Sequence, residues 1–144
     1  MRLIKATMVL ACCGLVAAVA ATAGSTVVKV QKTPLGKVVA SSNGHTLYIF
    51  RADKGTTSTC YGKCAQFWPP LLTTGKPVAG AGIKASLLGT TKRKDGKLQV
   101  TYKKHPLYLF LEDTKPAMTK GEGSKAFGAG WYALTPTGIE IDRG

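Results

Sequence analysis

Apolar and polar positions along this chain alternate with the period of two that is typical of β-strands. Leu47 and Ile49 alternate with Tyr48 and Phe50, so one face of this segment carries aliphatic side chains and the other carries aromatic ones. A strand that is apolar on both faces is usually interior. An alternation of apolar and polar residues predicts a half-buried strand over residues 98–102, and further candidate strands lie at 27–31, 36–40 and 90–94.

Turn and helix signals complete this pattern. Asp95-Gly96 is the strongest turn signal in the chain and predicts a hairpin between the strands over 90–94 and 98–102. The helical segments that we expect are short. Residues 60–67 predict two turns that end before Pro69-Pro70, and residues 83–88 predict one turn.

A repeat with an offset of 60 residues organises the chain. Residues 45–53 align without gaps to residues 105–113, with five identities in nine positions, and each copy continues through a polar loop to a tryptophan. The sequence therefore predicts a mainly β fold in which two tandem homologous repeats pack as one pseudo-symmetric antiparallel β domain with short helical turns. Trp68 and Trp131 are expected in its core. We place this domain at 34–140, with repeat one at about 34–80 and repeat two at about 90–140.

The N-terminus predicts export. Residues 1–23 combine a basic start, an apolar run and small residues at 21–23, the pattern of a signal peptide. Residues 9–12 resemble a lipobox, so the alternative to a free periplasmic or secreted protein is a lipid anchor at Cys12. The segment 24–33 then forms an N-terminal strand or linker.

Export decides how the remaining cysteines are interpreted. Cys60 and Cys64 are the only cysteines after residue 23, and in an oxidising compartment two cysteines this close most often form a disulfide. The alternatives are a redox-active pair and a pair of metal ligands, although residues 56–68 contain no His, Asp or Glu.

The charge is strongly positive. Removal of the predicted signal peptide over 1–23, which contains Arg2 and Lys5, leaves 121 residues. These carry 18 basic and 7 acidic side chains, a net charge of +11. Because export separates the protein from the genome, we expect no cytoplasmic nucleic-acid partner; anionic envelope components such as lipid headgroups or cell-wall polymers suit such a charge better. The predicted anionic-surface patch consists of Lys92, Arg93, Lys94, Lys97, Lys103 and Lys104.

The repeated segment also carries a family resemblance. Tyr48-x-Phe50-x-x-Asp53 and Tyr108-x-Phe110-x-x-Asp113 resemble the Tyr-x-aromatic-x-x-Asp signature of a bacterial family of secreted repeats and predicted lipoproteins. Further ordered matches are Cys60-x-x-x-Cys64, Trp68-Pro69-Pro70, Asp95-Gly96, Pro106-Leu107-Tyr108 and Gly130-Trp131-Tyr132. The resemblance covers about residues 34–140 and implies an extracytoplasmic, β-rich domain of two repeats. It implies no activity.

The motif residues admit two interpretations. The aromatic side chains can fill the core while each aspartate accepts backbone N–H groups of the following turn, or the tyrosines and aspartates can line a shared groove for a cation or a small polar ligand. His45 and His105 occupy equivalent positions in the repeats and are possible metal ligands, although two ligands fall short of a closed site.

No catalytic motif is present: the sequence lacks a Gly-x-Ser-x-Gly elbow, a His-Glu-x-x-His motif, a phosphate loop and a dinucleotide fingerprint. We expect a non-enzymatic envelope or secreted protein without a cofactor that binds an anionic surface or partner. The alternatives are a small-ligand or metal-binding periplasmic protein and a thiol/disulfide redox protein.

Overall fold

Residues 24–143 are the part of the chain that this computed structural model describes, and they form a mainly β fold with one short α-helix. The predicted signal peptide over 1–23 and Cys12 lie outside these described residues. The strands are β1 Val27–Thr33, β2 Gly36–Ser41, β3 Tyr48–Phe50, β4 Leu72–Thr73, β5 Val78–Ala79, β6 Leu88–Lys92, β7 Leu98–Tyr102, β8 His105–Pro106 and β9 Trp131–Ala133. The helix α1 is Lys63–Phe67, and 3₁₀ turns lie at Ala85–Leu87 and Ala126–Gly128.

The strands form three small sheets. In the first, β1 lies between β2 and β5; in the second, β3 pairs with β9; in the third, β7 lies between β4 and β6 and also pairs with β8. The pairings are antiparallel, as predicted, except for the two-residue parallel pair of β1 with β5.

The strand and hairpin predictions are confirmed with shifts at their ends. The hairpin of β6 and β7 forms around Asp95-Gly96, and β6 begins two residues before the predicted segment 90–94. Helix α1 is shorter than the predicted segment 60–67. Gly62 has a φ of 56°, in the left-handed region, so the chain enters the helix only after this glycine.

The two faces of β3 divide the interior into two clusters. Leu47 and Ile49 belong to an aliphatic core, together with Val28, Val39, Leu71, Val100, Tyr102, Leu107, Tyr132 and Leu134. Tyr48 and Phe50 belong to an aromatic core, together with Val38, Cys60, Cys64, Trp68, Tyr108, Trp131 and Ala133. The prediction of a strand buried on both faces, with aromatic and aliphatic sides, is therefore confirmed, as is the burial of both tryptophans.

The two repeats differ in how the motif segment pairs. In repeat one, β3 pairs with β9 over three residues, from Tyr48 opposite Ala133 to Phe50 opposite Trp131. In repeat two, the segment 108–110 runs beside 67–70, where the N–H groups of Leu109 and Leu111 donate to carbonyl groups of that segment. Pro69 and Pro70 have no N–H to donate in return, which explains why this pairing does not form a regular ladder.

Gly121 makes room for the aromatic core. A Cβ atom at this position would lie 2.8 Å from the Trp68 ring and 2.9 Å from the Tyr48 ring, closer than real Cβ contacts allow. We expect Gly121→Ala to lower the free energy of unfolding by about 1–3 kcal/mol, because the buried rings must shift to admit the methyl group. Urea denaturation measures this change.

The matched control is Gly75→Ala. Gly75 also lacks a positive φ, and the nearest atom to its added Cβ is 3.9 Å away. Equal unfolding free energies for the two alanine variants would contradict close packing around Gly121.

Candidate functional site

The two repeats meet at their motif tyrosines. The N–H of Tyr48 donates to the carbonyl oxygen of Tyr108 at 2.8 Å, and the N–H of Tyr108 donates back to the carbonyl oxygen of Tyr48 at 2.9 Å. The side chains then cross between the repeats. The Tyr48 hydroxyl donates to Oδ2 of Asp113 at 2.5 Å, and the Tyr108 hydroxyl donates to Oδ2 of Asp53 at 2.7 Å.

The second oxygen of each aspartate closes the loop that follows it. Oδ1 of Asp53 accepts the N–H and the hydroxyl of Thr59 at 2.8 and 2.9 Å. Oδ1 of Asp113 accepts the N–H of Lys120 at 2.9 Å. Each carboxylate thus holds a loop of its own repeat and a tyrosine of the other. The structure places these motif residues in the contact between the repeats and not in an open groove.

Burial sets the protonation of these groups. It raises the pKa of both tyrosines above the ordinary value of 10, and the hydrogen bonds to the aspartates raise it further, so both hydroxyls remain donors at neutral pH. Burial also raises the pKa of Asp53, against the opposing effect of the hydrogen bonds from Thr59 and Tyr108.

Four aromatic rings of the repeats form one continuous stack. The rings of Trp68 and Trp131 stack at a centroid distance of 3.9 Å and an angle of 7°. Phe50 stacks on the tryptophan of the other repeat, Trp131, at 4.0 Å, and Phe110 stacks on Trp68 at 4.2 Å. The stack therefore has the same crossed connectivity as the hydrogen bonds.

The two histidines lie in different settings. His45 is in the turn between β2 and β3, where its backbone pairs with Ser41, and His105 is in β8 opposite Tyr102. Residues 24–143 contain no group of three or more His, Cys, Asp or Glu side chains placed to hold a metal ion. Metal binding by the two histidines stays an untested prediction.

The predicted disulfide between Cys60 and Cys64 is present. It joins Cα atoms 5.3 Å apart, in the segment that leads into α1. Both residues are buried members of the aromatic core, so the bridge is shielded from solvent.

Arg93 departs from the predicted surface patch because it is buried, with 5% of its surface exposed. Its guanidinium donates to the Ser58 hydroxyl at 2.9 Å, the Gln99 side-chain oxygen at 2.8 Å and the Cys60 carbonyl at 2.7 Å. Ser58 in turn bonds the hydroxyl of Tyr108 at 2.6 Å. Arg93 therefore supports the motif from within, a role that its position beside other basic residues did not indicate.

The remaining five patch residues are exposed lysines in two separate groups. Lys92, Lys94 and Lys97 surround the turn between β6 and β7, whereas Lys103 and Lys104 form the turn between β7 and β8. These turns lie at opposite ends of β7, which is about 17 Å long at the usual rise per residue. The exposed lysines of the predicted patch therefore form two groups and not one cluster, and their binding to an anionic surface stays a prediction.

Glu122 is a further acid, half-buried, that the sequence pattern did not single out. Its Oε2 atom accepts the N–H of Ala133 in β9 at 2.7 Å, while Oε1 is buried without a hydrogen-bond partner among the described residues. Burial is the main cause that raises the pKa of this carboxyl above its ordinary value.

The fold and the crossed contacts define a class of protein, a β domain whose single interior is assembled from two tandem repeats. A family model described as a secreted repeat of unknown function matches residues 19–72 and 89–135, more than half of the chain. The chain belongs to this secreted-repeat family, which confirms the resemblance carried by the motif and is consistent with export. Searches of curated proteins and of solved structures find no match. Within residues 24–143, no helix has the length and apolar character needed to cross a membrane.

The two motif tyrosine hydroxyls are expected to contribute different amounts to the free energy of unfolding. Tyr48→Phe leaves Oδ2 of Asp113 buried without its donor, at a residue only 3% exposed, and we expect a loss of about 2 kcal/mol in the free energy of unfolding. Tyr108→Phe affects Asp53, which is partly exposed so that water can replace the lost donor, and Ser58, whose oxygen keeps the Arg93 donor; we expect about 1 kcal/mol. Urea denaturation of both variants tests this order; a larger loss for Tyr108→Phe would refute it.

Glu122→Gln tests whether the Glu122 carboxyl makes the free energy of unfolding depend on pH. A carboxyl whose pKa is raised by folding binds more protons in the native state, so its contribution to stability decreases as pH rises through the folded pKa. Glutamine keeps an acceptor for the Ala133 N–H and removes the charge. We expect the variant to be more stable than the original at pH 7, with a difference that disappears below the ordinary value of 4.5. Thermal unfolding across this range measures it, and a difference that persists at low pH would contradict the assignment.

Proposed function

We propose that this protein is an exported, non-enzymatic protein that binds anionic groups of the cell envelope through Lys103 and Lys104. Export rests on the predicted signal peptide over 1–23 and on the family description. The binding site that we propose is the groove beside the turn between β7 and β8, which these two lysines line.

The backbone of this turn is the observation that carries the proposal. Lys103 and Lys104 have φ angles of 46° and 65°, the left-handed conformation that a two-residue turn of this kind demands at both positions. Asn-Gly suits such a turn, and a residue with a longer side chain costs about 1–2 kcal/mol in this region. The presence of two lysines at positions where lysine is unfavourable supports a functional role for their positive charges.

The walls of the groove suit an anion. Hydroxyl groups of Thr56, Ser86, Thr90 and Thr101 line it together with the lysines, and its lining contains no acidic residue. Within the described residues, neither lysine pairs with a carboxylate; the ion pairs there are those of Arg51 with Glu140 and Asp142. Hydroxyl and ammonium donors together recognise phosphate or carboxylate oxygens.

Binding to vesicles tests the proposal. Vesicles of phosphatidylglycerol in low salt should retain the protein, phosphatidylcholine vesicles should not, and added salt should release it. The double variant Lys103→Asn/Lys104→Gly removes two charges and supplies the preferred turn residues, so it should bind about tenfold or more weakly while being at least as stable. Cosedimentation and thermal unfolding measure the two properties.

The matched control removes the same charge elsewhere. Lys32 and Lys37 are exposed and pair directly across the hairpin of β1 and β2, so Lys32→Gln/Lys37→Gln gives the same net charge away from the groove. We expect a smaller loss of binding for this variant. An equal loss in both double variants would show that total charge, and not this groove, governs binding, and no retention of the original protein at low salt would end the proposal.

A further inference from the structure

Exposed apolar side chains gather at one place on the surface. Phe67, Leu111 and Phe127 are 38%, 57% and 43% exposed, and they approach one another from distant parts of the chain. The N–H of Leu111 donates to the carbonyl oxygen of Phe67 at 2.9 Å, and the rings of Phe67 and Phe127 lie 6.1 Å apart at an angle of 42°.

A groove of about 310 Å³ opens beside Phe67 and Phe127. Its aromatic lining consists of Phe67, Phe127 and two members of the ring stack, Trp68 and Phe110. Trp68 is buried between Trp131 and Phe110 and offers no ring face, so the phenylalanines are the aromatic groups that can contact a ligand. Glu112 and Ser124 supply its polar groups. An apolar, aromatic groove with a few polar groups is the usual form of a small-molecule site, and this volume is at the small end of such sites.

Phe127 is held in an unfavourable backbone conformation. Its φ of 62° and ψ of 27° lie in the left-handed region, where a bulky side chain is rare. The residue remains 43% exposed, so burial in the core offsets little of this cost. Strained backbone of this kind is often found at binding sites, and the Phe127 side chain lines the groove.

The charge of the groove is opposite to that of the protein. Beyond residue 23 the chain carries 18 basic and 7 acidic residues, yet the lining of this groove contains Glu112 and neither lysine nor arginine. The Glu112 carboxylate forms no hydrogen bond or ion pair with any side chain in the described range 24–143. An anionic, aromatic groove on a cationic protein selects for a positively charged ligand with apolar surface.

We propose that this groove binds a small quaternary ammonium compound of about the size of choline. Aromatic faces attract such cations, whose methyl groups also pack against phenylalanine rings, and recognition of quaternary ammonium groups by aromatic side chains is an established use of this interaction. Glu112 supplies the counter-charge. The ligand is distinct from the anionic partner of the lysine groove, and the two sites share no lining residue.

Titration with choline chloride, followed by backbone amide NMR, tests this site. We expect saturable shifts at residues 67, 111 and 127 with a dissociation constant in the millimolar range. The uncharged analogue 3,3-dimethylbutan-1-ol has the same shape without the positive charge, and it should bind at least about fivefold more weakly, the effect of losing a cation–π interaction at a partly exposed site.

Two variants locate the binding. Glu112→Gln removes the counter-charge, and Phe127→Asn removes the ring while suiting the left-handed backbone; each should weaken choline binding about fivefold or more. Asp95→Asn makes the same charge change as Glu112→Gln at an exposed turn outside the groove, and it should leave choline binding unchanged. The Lys103→Asn/Lys104→Gly variant should also bind choline normally, which separates this site from the proposed anion site.

Three results would overturn the inference. They are no saturable choline shifts up to tens of millimolar, equal affinity for choline and its uncharged analogue, and equal losses in Glu112→Gln and Asp95→Asn. A concentration-dependent dimer whose amide shifts map to Phe67 and Phe127 would also overturn it, because the occupant of the groove would then be a second copy of the chain.

Discussion

Crossed hydrogen bonds between the two repeats are the constraint on which the rest of this structure depends. Each motif tyrosine donates to the aspartate of the other repeat, and each of those aspartates fixes the loop that follows it. The ring stack also joins the two repeats, since each phenylalanine stacks on the tryptophan of the other repeat. One repeat alone would leave its tyrosine hydroxyl, Oδ2 of its aspartate and three ring faces without these partners, and such groups are unfavourable in an interior. The two repeats therefore form one folding unit.

The two halves of this arrangement are not equivalent in chemistry. The Tyr108 hydroxyl bonds Ser58, which in turn accepts from the buried Arg93. The Tyr48 hydroxyl instead accepts the N–H of Gly121. The backbone pairing differs as well. In repeat one, β3 pairs regularly with β9, whereas in repeat two the partner segment contains Pro69 and Pro70, which lack the N–H groups for a regular ladder. A duplicated motif has thus kept the contacts that hold the repeats together while the surroundings of each copy have diverged.

The features of this fold that depend on local pattern are predictable from the sequence. The alternation around Tyr48 predicted a strand buried on both faces, the spacing of Cys60 and Cys64 predicted their disulfide, and Asp95-Gly96 predicted the hairpin. These features depend on residues close together in the chain, where strand period and turn chemistry act directly.

Features that depend on distant residues were not accessible in this way. The partner of each tyrosine lies 55 or 65 residues away, and the duplication alone does not show whether each motif pairs within its own repeat or across to the other. The lysines beside Arg93 in the sequence predict a surface position for it, but the acceptors that permit its burial come from Ser58, Cys60 and Gln99. The lysines were grouped by sequence, although β7 separates them in space.

Residues in unfavourable backbone conformations lie at the surface, but they depend on the stability of this core. Among residues 24–143, the residues other than glycine with positive φ are Lys103, Lys104, Ala117 and Phe127. Three of these four present a charged or aromatic side chain to one of the two proposed binding grooves. A left-handed lysine or phenylalanine persists only where the surrounding structure is stable enough to hold it. The crossed contacts of the repeats provide that stability, so the interior that the duplication creates is also what permits its loops to hold costly conformations at the surface.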